Sequence, residues 1–230
     1  MNKNEQEWIK HLSELGCLWI HDGNPKRPHA SLTRGNHSNG FFNGSLIIND
    51  PGLCGQVCLD LWGKFLEYLK TNAGFGQRIH SENPKPQIFG TALGANDLTY
   101  QLGLISGLKR GFTEHVYSVN EQGKLAKTIT LKRFSFDPGT PILMVEDVMT
   151  TGGTTRDSIG VIEEAGGIVL PAVLVICNRS GMKDLDGRKI IALIDKELPA
   201  WDPGNCPLCQ QGSEPVRPKG NWDMLTATYD

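Results

Sequence analysis

Ile142-Leu143-Met144-Val145-Glu146-Asp147-Val148-Met149-Thr150-Thr151-Gly152-Gly153-Thr154-Thr155 decides how this chain is built. A run of buried-strand residues ends in two adjacent carboxylates, a Thr/Gly loop follows at once, and a helical pattern begins at Thr154. Each part has its own physical job. The strand is a rigid base, and the carboxylates can accept hydrogen bonds from vicinal hydroxyls or bind a hydrated cation. The loop offers backbone N–H groups and hydroxyls to an anion at a helix N-terminus, where the macrodipole also favours negative charge. A sugar carrying both hydroxyls and a phosphate satisfies the whole segment. The competing reading is a plain strand-to-helix turn with a solvated acidic pair. Such a turn needs neither two glycines nor three hydroxyls.

Outward from that segment, apolar runs alternate with amphipathic stretches. Gln87–Phe89 reads as a short strand, Gly90–Gly94 as a tight loop and 96–104 as a helix. His115–Val119 reads as a strand, and Lys127–Phe134 alternates as a half-exposed strand should. Downstream, Thr154–Ala165 reads as a helix, Ile168–Cys177 as a strand and Lys189–Asp195 as the strand that closes the sheet. This order predicts an α/β fold, a mainly parallel sheet flanked by helices. Ligands in such sheets bind beyond the carboxyl ends of the strands. That singles out loops 90–95, 114–126, 146–155 and 178–182.

Ahead of this core, 4–16 forms an amphipathic helix with Trp8, Ile9, Leu12 and Leu15 on one stripe. Residues 18–50 read as hairpins and loops over the core. Asp50-Pro51 opens another helix with a cap and a proline at the first helical position. Val57, Leu61, Phe65 and Leu69 step by four along its buried face, and Gly74 and Gly76 fit its end. The expectation is a single domain over 1–230: helix plus hood over 1–50, α/β core over 51–197, and an extension over 198–230 rich in Pro, Gly and Cys.

The 230 residues carry a net charge of −2, with 39% hydrophobic and 21% charged side chains. Nothing in that balance points to nucleic acid, and no apolar run approaches a membrane span. The first ten residues lack an apolar signal core, so the expected location is cytoplasmic. The six cysteines then read as reduced thiols rather than a disulfide framework. Cys177 reads as core, and Cys54 and Cys58 share one helix face. Cys206-x-x-Cys209 is half of a zinc-type ligand set. His29, His80 or Cys17 would complete it only if the fold brought them near, and plain thiols are the favoured reading.

The Glu146–Thr154 segment resembles the phosphoribosyl-pyrophosphate motif of type I phosphoribosyltransferases. Ser31-Leu-Thr-Arg-Gly-Asn-His-Ser-Asn-Gly-Phe-Phe-Asn43 resembles the hood loop of orotate phosphoribosyltransferases. Asn178-Arg179, just past an apolar strand, matches the place of that family's orotate-binding arginine. The resemblance spans about residues 5–195, and the Cys206–Cys209 tail resembles a bacterial subset. It implies transfer of the phosphoribosyl group of phosphoribosyl pyrophosphate to orotate, with Mg²⁺ brought by the substrate and no dedicated protein ligand set, in a homodimer. By resemblance, Glu146 and Asp147 are catalytic and hold the ribose hydroxyls. Thr150, Thr151, Gly152, Gly153 and Thr154 wrap the 5′-phosphate. Thr91, Ala92, Leu93 and Gly94 form the pyrophosphate loop, with Ala92–Leu93 as the expected non-proline cis peptide. Phe41, Phe42 and Arg179 meet the base.

The chain departs from the family in its cations. The hood lysine position reads Thr33, with Arg34 beside it. The pyrophosphate-loop lysine position reads Gly94, and an Arg-Lys pair is replaced by Glu114-His115. Tyr117–Lys127 reads as a short turn where other members carry a long mobile loop. Arg34 and His115 are the leading substitutes as anion contacts, with His37, Lys124, Lys127 and Arg133 behind them. Two other functions stay open: transfer to a different base, and non-catalytic binding of phosphoribosyl pyrophosphate by a regulator. No helix-turn-helix segment supports a regulator of transcription.

Overall fold

The structure is a computed structural model that describes residues 3–33, 35–72, 84–91, 93–119, 123 and 125–228. Helix α1 (Glu5–Glu14) begins with a capping box. The Asn4 side chain accepts from the Glu7 N–H at 3.0 Å, and the Glu7 carboxylate accepts from the Asn4 N–H at 2.7 Å. Two otherwise unpaired donors are thereby satisfied. Trp8 and Leu12 are fully buried. Leu15, which periodicity places on the same stripe, is instead the exposed C-cap residue, because the helix stops one residue earlier.

The hood follows as β1 (Leu18–Ile20), β2 (His29–Ser31), β3 (His37–Ser38) and β4 (Gly40–Phe42), then a short helix α2 (Gly44–Ile48) hidden in the sequence among loop residues. Helix α3 (Pro51–Thr71) is capped by Asp50, whose Oδ1 accepts from the N–H groups of Gly52 and Leu53 at 2.9 and 3.0 Å. Val57, Leu61, Phe65 and Leu69 are buried, as are Cys54 and Cys58. The expected terminators Gly74 and Gly76 lie outside the described residues.

The core comprises β5 (Gln87–Gly90), α4 (Asn96–Ser106), β6 (Lys109–Phe112), β7 (Glu114–Val119), β8 (Leu125–Thr130), β9 (Pro141–Met149), α5 (Gly153–Glu164), β10 (Ile168–Asn178), β11 (Asp184–Leu185) and β12 (Arg188–Asp195). Six strands form one sheet in the order β11-β12-β10-β9-β5-β6, parallel except for the antiparallel edge strand β11. The pleat sorts β9 between two apolar layers. Leu143 and Val145 pack with α1, α3 and α4. Ile142 and Met144 pack with Phe89 and with Ile159 and Ile162 of α5.

Two strand assignments change. Lys109–Phe112, unmarked by any apolar run, is the sheet's other edge; it buries only Gly111, whose missing Cβ makes room for the Phe89 ring. The Tyr117–Lys127 stretch is less a turn than the end of a hairpin. β7 and β8 pair through Tyr117↔Lys127 and Val119↔Leu125, and β8 ends at Thr130 rather than at Phe134.

The extension has a definite path over the hood. β13 (Ala200–Trp201) pairs with β3, and β14 (Pro215–Val216) pairs with β2, giving a four-stranded sheet β13-β3-β2-β14. Between them lies a helical turn, α6 (Pro207–Gln210), and beyond them α7 (Trp222–Thr226). Trp19 Nε1 donates to the Leu225 carbonyl at 2.9 Å, and the Leu225 side chain is fully buried against Trp19 and Ala30. No described helix is long and apolar enough to cross a membrane.

Candidate active site

β9 carries its two carboxylates to the carboxyl end of the sheet, where the chain leaves the strand at Met149 and re-enters a helix at Gly153. Gly152 makes that reversal with φ +75°, a conformation that costs any residue with a Cβ about 1–2 kcal/mol. A Cβ there would also sit 2.4 Å from Leu185 Cδ1. Arg156, one turn into α5, donates from Nη1 to the Thr151 carbonyl at 2.7 Å and forms a two-pronged ion pair with Asp186. The loop is thus held from behind while Thr150, Thr151 and Gly153 stay exposed.

A cleft of about 730 Å³ opens in front of this loop. Its lining includes Glu146 with Thr150, Thr151, Gly152, Gly153 and Thr154, Phe41 and Phe42 of the hood, Arg179 from beyond β10, and His115 and Lys127 of the hairpin. The phosphate-loop and base residues expected from the sequence, with Glu146 and His115, therefore meet in one cavity, whereas Asp147, Thr91, Leu93 and Gly94 are not among its lining residues.

The acidic pair is divided by the pleat, as adjacent strand residues must be. Glu146 is among the residues lining the cleft and is nearly buried; it accepts from Thr155 Oγ1 at 3.1 Å. Burial first, and then the Asp147 charge, pushes its pKa up to about 8. Asp147 points instead toward Gly94 and Gly44, with the Val148 N–H donating to its Oδ1 at 2.8 Å. Of the 90–95 loop, Thr91 is fully buried, with its side chain beside the Glu146 carboxylate. Leu93 has φ +67° and is largely exposed. A non-glycine residue in that region is uncommon outside sites that hold it there. Ala92 and its peptide bond lie outside the described residues, as do Arg34, His80 and Lys124.

Arg179 is buried, and its Nη2 donates to Ser38 Oγ at 2.9 Å and to the Leu198 carbonyl at 3.0 Å. Phe42 belongs to the main core. Phe41, one residue earlier on β4, packs near Trp222 of the extension. His115 has a buried Nδ1 with no hydrogen-bond partner among the described residues, and burial followed by the nearby Lys127 lowers its pKa. Arg133 is drawn away, with Nε 2.8 Å from the Glu114 carboxylate. Sequence reasoning missed Thr155, Asp157 and Ser38. The hydroxyl pair Thr154-Thr155 was a usable signal for the first, but nothing local announces that Ser38 meets Arg179 across 141 residues.

No protein-family model matches the chain. It is 30% identical over 205 residues to an orotate phosphoribosyltransferase of Acidithiobacillus ferrooxidans, covering 89% of this chain and 95% of that relative. It is 34% identical over 192 residues to an orotate phosphoribosyltransferase of Desulforamulus reducens, covering 83% and 87%. In structure it resembles the orotate phosphoribosyltransferase of Aeropyrum pernix, with a TM-score of 0.55, 20% identity, and coverage of 81% and 92%. That likeness concerns the fold, the type I phosphoribosyltransferase arrangement of a mainly parallel sheet between helices. The sequence identity reaches further, because it runs along nearly the whole of both chains, and this chain belongs to the orotate phosphoribosyltransferase family.

Proposed function

We propose that this protein transfers the phosphoribosyl group of phosphoribosyl pyrophosphate to orotate, giving orotidine 5′-monophosphate and pyrophosphate in pyrimidine biosynthesis. One observation carries the reading: a single cleft is lined by Glu146 and the Thr150–Thr154 loop together with Phe41, Phe42 and Arg179. A phosphate-binding turn and an aromatic–arginine wall are what a ribose phosphate and a flat carboxylated base require.

In this reading the Thr150–Thr154 backbone and hydroxyls bind the 5′-phosphate at the N-terminus of α5. The acidic pair receives the ribose hydroxyls, Glu146 from within the cleft and Asp147 from beside Gly94. The orotate ring lies against Phe41 and Phe42, with its carboxylate on Arg179. The ring nitrogen then bonds to the anomeric carbon as the bond to pyrophosphate breaks. Positive charge develops on the ribose, and the pair of acids can offset it. Pyrophosphate departs toward the Thr91–Gly94 loop, with Lys127 and Arg34 as the cationic contacts and His115, its charged form disfavoured by burial, as a hydrogen-bond donor beside them. Magnesium travels on the diphosphate, and Glu146 and Asp157 are the cleft carboxylates able to accept hydrogen bonds from its water.

A homodimer is proposed on the family resemblance, with the exposed Tyr117, Val119 and Leu125 of the hairpin as apolar surface for a second copy. A cytoplasmic location fits six free cysteines. The function is tested by incubating purified protein with phosphoribosyl pyrophosphate, Mg²⁺ and orotate and following the loss of orotate absorbance. Turnover with orotate is expected. Turnover only with another base selects a different transferase, and tight binding without turnover on any base selects a non-catalytic binder.

A further inference from the structure

Outside the cleft, four side chains converge where the hood meets the extension. His29 of β2, His37 of β3, and Cys206 and Cys209 flanking the first turn of α6 place one ligand atom each within 4.8 Å of one another. We infer that these four residues form a structural zinc site that staples the C-terminal extension to the hood.

The spacings fit a tetrahedron around one ion. His29 Nε2 lies 3.1 Å from His37 Nδ1 and 3.5 Å from each of the sulfurs of Cys206 and Cys209, and His37 Nδ1 lies 3.2 Å from Cys209 Sγ. Zinc held at ~2.0 Å by nitrogen and ~2.3 Å by sulfur requires ligand-to-ligand edges of roughly 3.3 Å (N–N) and 3.5 Å (N–S). Two thiolates and two neutral imidazoles are a common zinc donor set, and they leave the buried site with no net charge.

Hydrogen bonding among the four does not account for the cluster. The Ser213 hydroxyl donates its one proton to the Arg27 carbonyl at 2.6 Å. Toward His29 Nδ1, 2.8 Å away, it can only accept. The proton of His29 is therefore on Nδ1, and Nε2 presents a single lone pair to three neighbours at once. One lone pair cannot satisfy three donors, whereas one cation can gather all four atoms. Ser213 also supplies the outer contact that metal-bound histidines regularly have, which fixes tautomer and ring orientation.

With four protein ligands no position remains for water or substrate, which marks a closed structural site rather than a catalytic one. Its mechanical effect follows from the chain path. The ion would join β2, β3 and α6, and Ser38, the neighbour of His37, holds Arg179 at the cleft. The site stands independently of any reaction at the cleft.

The test uses the full chain purified without a histidine tag. Elemental analysis should find about one zinc per chain. After chelation, added Co²⁺ should produce tetrahedral d–d bands in the visible and thiolate-to-cobalt charge transfer in the near ultraviolet. Cys209→His should keep the metal with an altered cobalt spectrum, whereas the double variant Cys206→Ser/Cys209→Ser should lose it. Substoichiometric zinc together with no tetrahedral cobalt spectrum in the wild-type protein would overturn the inference, since that result needs no variant to fold. Full metal retention in the double variant would overturn it equally.

Discussion

Gly94 packs directly on the Asp147 carboxylate: a Cβ built at residue 94 would lie 2.5 Å from both Cγ and Oδ2 of Asp147. The loop after β5 and the acid at the end of β9 stand on neighbouring parallel strands, so no backbone slack separates them. The glycine that replaces the expected lysine is thus a steric requirement of this chain's acid placement. A Gly94→Ala variant must push the carboxylate aside, and a displacement of about 1 Å near a reacting centre can cost about 10²-fold in rate. Steady-state kinetics should show a fall in kcat of at least about tenfold with a thermal midpoint close to wild type. Asp147→Asn should lower turnover further with the fold intact, and wild-type rates in that variant would remove the residue from the mechanism.

Gly152→Ala combines a left-handed φ with contact on Leu185. The expected loss is about 1–2 kcal/mol from the backbone conformation, plus whatever moving Leu185 costs. Denaturant unfolding measures it. KM for phosphoribosyl pyrophosphate should rise more than KM for orotate, and an unchanged midpoint with unchanged KM would contradict both halves.

Glu146 makes the stability of the ligand-free protein depend on pH in a definite direction. Its folded pKa is raised, by burial first, from 4.5 to about 8, so the folded state holds the proton more tightly than the unfolded chain. That contribution is fully present below pH 4.5 and is lost as pH rises toward about 8. Glu146→Gln keeps the neutral shape and lacks the titration. Melting curves between pH 5 and 8 should show the variant gaining on wild type as pH increases; a constant gap would disprove the raised pKa.

Arg179→Ala removes the donor to Ser38 and to the Leu198 carbonyl, a loss of about 1–3 kcal/mol where buried acceptors are left unpaired. Binding should separate the two substrates, with KM for orotate rising at least about tenfold and that for phosphoribosyl pyrophosphate changing little. Arg179→Lys keeps the charge without the planar fork and should recover only part of the loss. Equal weakening of both substrates would contradict a role at the base.

The core of this protein was legible because local rules and burial agree there. Continuous apolar runs gave β9 and β10, spacing by four gave α3, and Asp50-Pro51 marked where α3 starts. Elements that bury little were not legible. β6 hides only a glycine, α2 is five residues long, and the end of α1 turns on whether one more residue continues the helix.

The sequence by itself determined the α/β order, the acid-tipped strand and the glycine reversal after it. These depend on periodicity and on conformations only certain side chains allow. Tertiary structure alone decided that Glu146 faces the cleft while Asp147 faces Gly94, that Ser38 holds Arg179, and that two histidines complete the Cys206–Cys209 pair. Each of those depends on contacts between segments far apart in the chain, the first set by the pairing of β5 with β9 and the others by how the hood packs on the core and the extension, and no local pattern encodes a distance across that interval.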